Sequence, residues 1–228
     1  MAIAKHTEDL ASHIPAIHLL VNLGYKYLAP SETIKLRDGK RSKVVLESVL
    51  EDWLAKNNSI KSKNGPVPFS RENIKEAVAS ISNIPFDSLL SNNERIYDLL
   101  TLGKSLEQNI DGLSRSYSLQ FINWKEPHKN IFHVTDEYEV EKRHSHQTRR
   151  PDIVLFVNGI PLVVIECKKP GLNDDAVKEG ISQCLRNQKT DEIPELFTFS
   201  QVLLSLAQNK AKYGTTGTPE EFWAVWKE

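Results

Sequence analysis

The chain has 228 residues, 39% of them hydrophobic and 26% charged, so it can bury one sizeable core and is neither fibrous nor disordered. Its formal net charge of −1 means that a polyanion partner would have to be met by a local basic surface, and two cysteines, Cys167 and Cys184, exclude a disulfide framework or a zinc ribbon. The longest apolar stretch, Ile160 to Ile165, is far short of the roughly 20 residues a membrane helix needs, and the charged N-terminus holds no signal-peptide core, so a cytoplasmic protein is expected.

From Glu8 to Leu28, Leu10, Ile14, Ile17, Leu20 and Val21 recur at helical spacing, with Thr7 as a possible cap and Gly24 as the stop. A second helix is expected from Lys43 to Lys56, striped by Val45, Val49, Leu50, Trp53 and Leu54. Ser59 to Pro68 is polar, cationic and punctuated by Gly and Pro, which predicts a surface loop. Helices resume at Arg71 to Ser80 and Asn92 to Leu102, where Gly103 breaks the pattern. After Leu113 the texture turns strand-like, over Ser116 to Trp124 and Ile131 to Glu139. The apolar runs Ile153 to Val157 and Leu162 to Ile165 flank Asn158-Gly159, a hairpin signal, and their two-sided apolarity predicts central strands covered by helices on each face. A helix from Asp174 to Gln188 follows, capped by Asn173 or Asp174, with Ala176, Ile181, Cys184 and Leu185 inward, and then a buried strand from Gln201 to Ala207. This order predicts an α/β sandwich around a mixed sheet.

The hairpin carries the chemistry. Asp152 precedes its first strand, and Glu166-Cys167-Lys168 ends its second. A two-residue turn at Asn158-Gly159 pairs Val157 with Ile160, sets Asp152 opposite Ile165 and sends Glu166 to the other face. One extra residue brings Asp152 and Glu166 onto one face, and Lys168 joins them because strand side chains alternate. A three-residue turn, or a bulge elsewhere in the hairpin, is therefore expected. Three charges at the ends of apolar strands are costly unless compensated, and a divalent cation would compensate two carboxylates. Mg²⁺ suits them, held by Asp152, Glu166 and the Cys167 carbonyl, with Lys168 orienting a water or neutralising transition-state charge. Hydrolysis of a nucleic-acid backbone is the reaction such a set serves. The spacing taken alone is permissive and also matches surface ion pairs.

The stretch from Arg149 to Gly171, RRPDIVLFVNGIPLVVIECKKPG, resembles the nuclease motif of the restriction (R) subunits of type I restriction-modification enzymes. The likeness includes the RPD start, the VNG-x-PL turn and the E-x-K-x-P end, and it extends more loosely from Thr7 to about Trp226. It implies a restriction-endonuclease-like PD-(D/E)xK core with a mixed sheet flanked by helices. Residues 1–228 would form a single nuclease domain at the N-terminal part of a longer motor subunit, with a helical insertion at 43–110. It further implies that Asp152, Glu166 and Lys168 are catalytic, with Mg²⁺ as cofactor. Double-stranded DNA would be the substrate, and methyltransferase and specificity subunits the partners. ATP would serve only the full-length subunit, a type I site-specific deoxyribonuclease. A Gln-x-x-x-Tyr motif of many relatives is matched by Gln183, but Asn187 stands in place of the Tyr. His13 stands where relatives carry an acidic residue on the first helix, and no catalytic role is assigned to it.

Lys169, Arg149 and Arg150 are, with Gln183, the candidate DNA contacts, and Lys142 and Arg143 add basic charge before the motif. Gly103-Lys104-Ser105 fails as a phosphate loop because Asp98 stands where its first Gly belongs. His144 and His146, with His133 nearby, read as a solvated loop; Trp223, Trp226, Phe197 and Phe199 as core; Glu47 and Glu51 as an exposed helix pair. Two rival readings stand beside the restriction nuclease. A junction-resolving or repair nuclease on the same fold would need no motor, and a non-catalytic DNA-binding or docking module would have no need of three converging charges.

Overall fold

The computed structural model describes residues 12–169, 175–208 and 210–227. The caps expected at Thr7 and at Asn173 or Asp174, the apolar Leu10 and the motif's closing Pro170-Gly171 lie outside them. The elements in chain order are α1 (Ile14–Asn22), β1 (Lys26–Tyr27), α2 (Pro30–Lys35), α3 (Glu47–Asn57), β2 (Ser59–Ser62), β3 (Gly65–Pro68), α4 (Arg71–Ser82), α5 (Leu89–Leu102), β4 (Lys104–Ile110), β5 (Leu113–Leu119), β6 (Phe132–Asp136), β7 (Val140–Glu141) and β8 (Thr148–Arg149). They continue with β9 (Ile153–Val157), β10 (Ile160–Cys167), α6 (Asp175–Asn187), α7 (Pro194–Phe199), β11 (Val202–Ala207), β12 (Lys210–Gly214) and β13 (Ala224–Val225).

Seven strands form one mixed sheet in the order β1-β6-β9-β10-β11-β12-β13, which places the hairpin strands β9 and β10 at its centre. β1 runs parallel to β6 and β10 parallel to β11, and the other neighbours are antiparallel. Alternation along the strands divides the apolar side chains between two faces. On one face Val134, Ile153, Leu155, Ile165 and Cys167 pack with Ala16 of α1. On the other, Val154, Phe156, Val164 and Leu203 join the larger core with Val177, Ile181 and Cys184 of α6, Leu196 and Phe197 of α7, and Leu50, Trp53 and Leu54 of α3. The central strands are thus covered on both sides, as their continuous apolarity requires.

Several boundaries differ from expectation for identifiable reasons. The stretch read as a loop at 59–68 folds into the β2–β3 hairpin; it is a two-stranded ribbon, so Pro66 and Pro68 can sit in β3 at an edge where a missing N–H leaves no ladder broken. The strand expected at Ser116 to Trp124 starts earlier, as β5, because Asp111-Gly112 turns β4 back on itself with both residues at positive φ. The first helix occupies only 14–22 of the described part of its expected span, and Gly24 ends it as anticipated. It buries Ala16 and leaves Ile14 and Val21 exposed. Trp223, Phe197 and Phe199 are buried, but Trp226 is 56% exposed on the edge-strand side, where its ring meets the Tyr213 ring edge-on.

The Asn158-Gly159 turn is locked into its surroundings. Asn158 is fully buried at φ 54°, and Gly159 has φ 86°. Asn158 Nδ2 donates to the Phe121 carbonyl and to Asn130 Oδ1, while its Oδ1 accepts the Ile131 N–H at 2.8 Å. A Cβ on residue 159 would come within 2.6 Å of the Leu46 carbonyl oxygen, so the position takes only glycine. Among the described residues, no helix is long and apolar enough to cross a membrane.

Candidate active site

Turn and bulge together set the register of the site. Val157 pairs with Ile160 across a two-residue turn, which corrects the three-residue turn and leaves the bulge to supply the extra residue. Phe156 faces Pro161, but Leu155 faces Val163, so Leu162 is the inserted position. Pro161 has no N–H to give the ladder, and a bulge is where a central strand accommodates such a residue. Beyond it Val154 pairs with Val164 and Ile153 with Ile165; one further step sets Asp152 opposite Glu166. Asp152 and Glu166 therefore lie on one face of the sheet.

The side chains meet at the ends of β9 and β10. Asp152 Oδ2 accepts the Cys167 N–H at 2.7 Å and stands 3.5 Å from Lys168 Nζ. Lys168 Nζ also donates to the Cys167 carbonyl at 2.8 Å and lies 3.9 Å from Glu166 Oε2. Glu166 has 0% exposure, and among the described residues neither of its carboxylate oxygens has a hydrogen-bond partner. Burial first, and then the Asp152 charge, push its carboxyl well above the usual carboxylate range, against the pull of Lys168 and Arg186.

What buries Glu166 is α6. Gly180, inside the helix, lies so close to the sheet that a Cβ there would overlap Ser205 Oγ and stand 3.5 Å from the Glu166 Cβ. Ser205, the β11 neighbour of Glu166, donates its hydroxyl to the Val177 carbonyl at 2.7 Å and so ties the helix down. Cys184, one turn beyond Gly180, is fully buried, and burial with the nearby Glu166 charge pushes its thiol up. Gln183 shares this stretch of α6 and is half-buried, while Asn187, in the place of the expected Tyr, is buried with Oδ1 accepting from Arg186.

The basic candidates do not gather at this centre. Arg149 is a bidentate partner of Glu192, at 2.6 and 2.8 Å, and Lys142 approaches the same carboxylate at 3.3 Å; Arg149 and then Lys142 hold Glu192 down at about 2. Arg150 reaches Glu139 at 3.3 Å from an exposed position, and Lys169 is exposed just after Lys168. His144 and His146 are exposed on the connection between β7 and β8, whereas His133 is buried on β6, so the three histidines do not form a cluster. Among the described residues, no three His, Cys, Asp or Glu side chains are grouped to hold a metal. Glu47 is bound to Lys43 at 2.7 Å, and Gly103 caps α5 before β4.

Sequence reasoning missed Gly180, Ser205, Glu192 and Ser12, whose hydroxyl donates to the Lys168 carbonyl at 2.8 Å. An isolated Gly within a helical run is a signal of close packing, and it was there to be read at Gly180. Glu192 and Ser12 carry no such local signal. Chemically, the centre offers two carboxylates and a peptide carbonyl, the oxygen donors a hard divalent cation takes, with an ammonium beside them. Glu166, buried and unsatisfied, is the donor with most to gain.

Known proteins resemble this chain over most of its length. A family model described as the type I restriction enzyme R protein N terminus matches residues 5–222. A Methanocaldococcus jannaschii chain named as the type I restriction enzyme MjaIXP endonuclease subunit is 29% identical over 226 residues, covering 98% of this chain and 21% of that one. The type I restriction enzyme HindI endonuclease subunit of Haemophilus influenzae is 28% identical over 214 residues, 91% of this chain and 19% of its own. A second M. jannaschii chain, named for MjaVIIP, reaches 38% identity over 97 residues, 42% of this chain and 9% of that one. The chain thus spans about a fifth of the length of the first two curated relatives. It belongs to the family of type I restriction enzyme R proteins, to whose N-terminal region it corresponds.

Proposed function

We propose that this chain is the cleavage module of a type I restriction endonuclease and hydrolyses phosphodiester bonds of double-stranded DNA with Mg²⁺. The observation that carries the proposal is the buried Glu166 carboxylate, unsatisfied and facing Asp152 at the end of the central hairpin. A buried carboxylate pair needs a proton or a cation between its members, and these donors suit a cation that keeps several waters. Asp152, Glu166 and the Cys167 carbonyl would hold it. When bound, Mg²⁺ polarises a phosphodiester and acidifies a coordinated water.

The chain's own groups perform the rest. Lys168 Nζ, steadied by the Cys167 carbonyl and close to both carboxylates, would place positive charge near the phosphoryl oxygens on which negative charge develops. Asp152 accepts the N–H of the Glu166–Cys167 peptide and so steadies the backbone one peptide before the carbonyl donor. α6 covers Glu166 and keeps bulk water from that side of the site. Lys169 and Gln183 are placed to approach DNA phosphates; Arg150 and Arg149 would have to exchange Glu139 and Glu192 for a phosphate.

The seven-stranded sheet with helices on both faces fits a PD-(D/E)xK core, with residues 43–110 an insertion that packs α3 to α5 over one face. The working assembly is cytoplasmic and joins methyltransferase and specificity subunits, and ATP serves the full-length subunit. The test is Asp152→Ala, Glu166→Ala and Lys168→Ala in the complete endonuclease subunit, assembled with its partners and scored for plasmid cleavage and ATP hydrolysis. Cleavage falls by roughly a hundredfold or more in each while ATP hydrolysis continues. Wild-type cutting by any one of them overturns the assignment.

A further inference from the structure

The carbonyl of Lys168 and the N–H of Gln208 lie just beyond the last register pair between β10 and β11, Cys167 with Leu206. The Lys168 N–H still reaches the Leu206 carbonyl at 2.7 Å, and there the ladder between the two strands ends. Gln208 sits at φ 54°, where the chain turns out of β11. One hydroxyl serves both groups. Ser12 Oγ donates to the Lys168 carbonyl at 2.8 Å and accepts the Gln208 N–H at 2.8 Å. Ser12 is 2% exposed and lies just ahead of α1, 156 and 196 residues from its two partners. A serine hydroxyl has one proton, and here the donor and acceptor directions are both committed, so its rotation is fixed.

Resting on the reading of Asp152, Glu166 and Lys168 as the cleavage site, we infer that Ser12 is a positioning residue for Lys168. α1 is already seated on the sheet through Ala16 and its partly buried neighbours Ile17 and Leu20, so the hydroxyl is not what attaches the helix. Its bond goes instead to the residue whose ammonium stands 3.5 Å from Asp152 and 3.9 Å from Glu166. Pinning the carbonyl fixes the Cα from which Lys168 reaches back, and reach is short there because the side chain is itself buried. A displacement of an ångström at a reacting group costs about a hundredfold in rate.

The experiment uses the complete subunit assembled with its partners. Ser12→Ala lowers the cleavage rate at saturating DNA and Mg²⁺ by roughly tenfold or more, leaves KM for DNA and ATP hydrolysis unchanged, and is rescued at least in part by Ser12→Thr, which keeps the hydroxyl. Should Ser12→Ala not fold, Ser12→Cys, similar in volume with a much weaker donor, is read by the same criteria. Wild-type turnover in the variant without the hydroxyl, a change confined to KM, or equal impairment with and without the hydroxyl overturns the proposal. Lys168→Ala run in parallel separates two failures. If it still cuts, the site assignment is wrong; if it is inactive while Ser12→Ala turns over normally, only the role of Ser12 falls.

Discussion

If Glu166 serves the proposed site at the expense of stability, replacing it with Gln makes the cost measurable. In the folded chain its carboxyl is fully buried, without a hydrogen-bond partner among the described residues, and beside the Asp152 charge. A buried polar group left unsatisfied costs about 1–3 kcal/mol, and more when charged. Glu166→Gln removes the charge and offers an amide donor toward Asp152. For a domain of this size about 1 kcal/mol moves Tm by about 2–4 °C, so the variant should melt roughly 2–12 °C higher near pH 8 without divalent cations. The folded carboxyl lies above its ordinary value of 4.5, so the folded state binds this proton more tightly than the unfolded chain does. Stability contributed by Glu166 is therefore lost as pH rises from about 4.5 through the folded value, and the advantage of Gln must shrink toward pH 5. Mg²⁺ at about 100 times its Kd should return about 2.7 kcal/mol to the wild type and little to the variant. Thermal denaturation followed by circular dichroism, with and without Mg²⁺ across this pH range, reads all three effects. A variant that melts below the wild type at pH 8, or a difference that ignores pH, would refute the reasoning.

Gly180→Ala reverses the usual gain of about 1 kcal/mol for such a change in a helix interior, because its Cβ would overlap Ser205 Oγ; a loss of about 1–3 kcal/mol in urea denaturation is expected, relieved in part by Ser205→Ala. Asn158→Ala should cost at least about 2 kcal/mol in the same assay, since it deprives Phe121, Asn130 and Ile131 of a shared partner at a positive φ. Glu192, held at about 2 chiefly by Arg149, contributes stability above the ordinary carboxylate value that is lost as pH falls toward 2. Arg149→Met should therefore raise the pH midpoint of acid unfolding; weaker DNA binding with an unchanged acid transition would mean that Arg149 serves DNA and not the fold.

The site was legible because its determinants are local. Asn158-Gly159 announces the hairpin, two-sided apolar runs announce central strands, and a period of two then decides which residues share a face. What remained open was where the parity-restoring residue sits. Pro161 answers that, since a residue without an N–H inside a central strand asks for a bulge beside it. The β4–β5 hairpin was announced in the same way by Asp111-Gly112, and an early start for β5 follows from it. Long-range partners left no such trace. Nothing near Glu192 indicates that it will take Arg149 and Lys142 out of the basic surface, and nothing near Ser12 indicates Lys168. Trp223 and Trp226 share neighbours in sequence, and only the sheet edge decides that one is covered and the other is not.

The proposed chemistry requires that Asp152 and Glu166 hold one cation between them. Mn²⁺ binding to this chain, followed by electron paramagnetic resonance at low ionic strength, measures that directly. One site in the wild type, lost in Asp152→Ala and in Glu166→Ala and retained in Arg150→Ala, is the expected result. Unchanged Mn²⁺ binding in Glu166→Ala would contradict it.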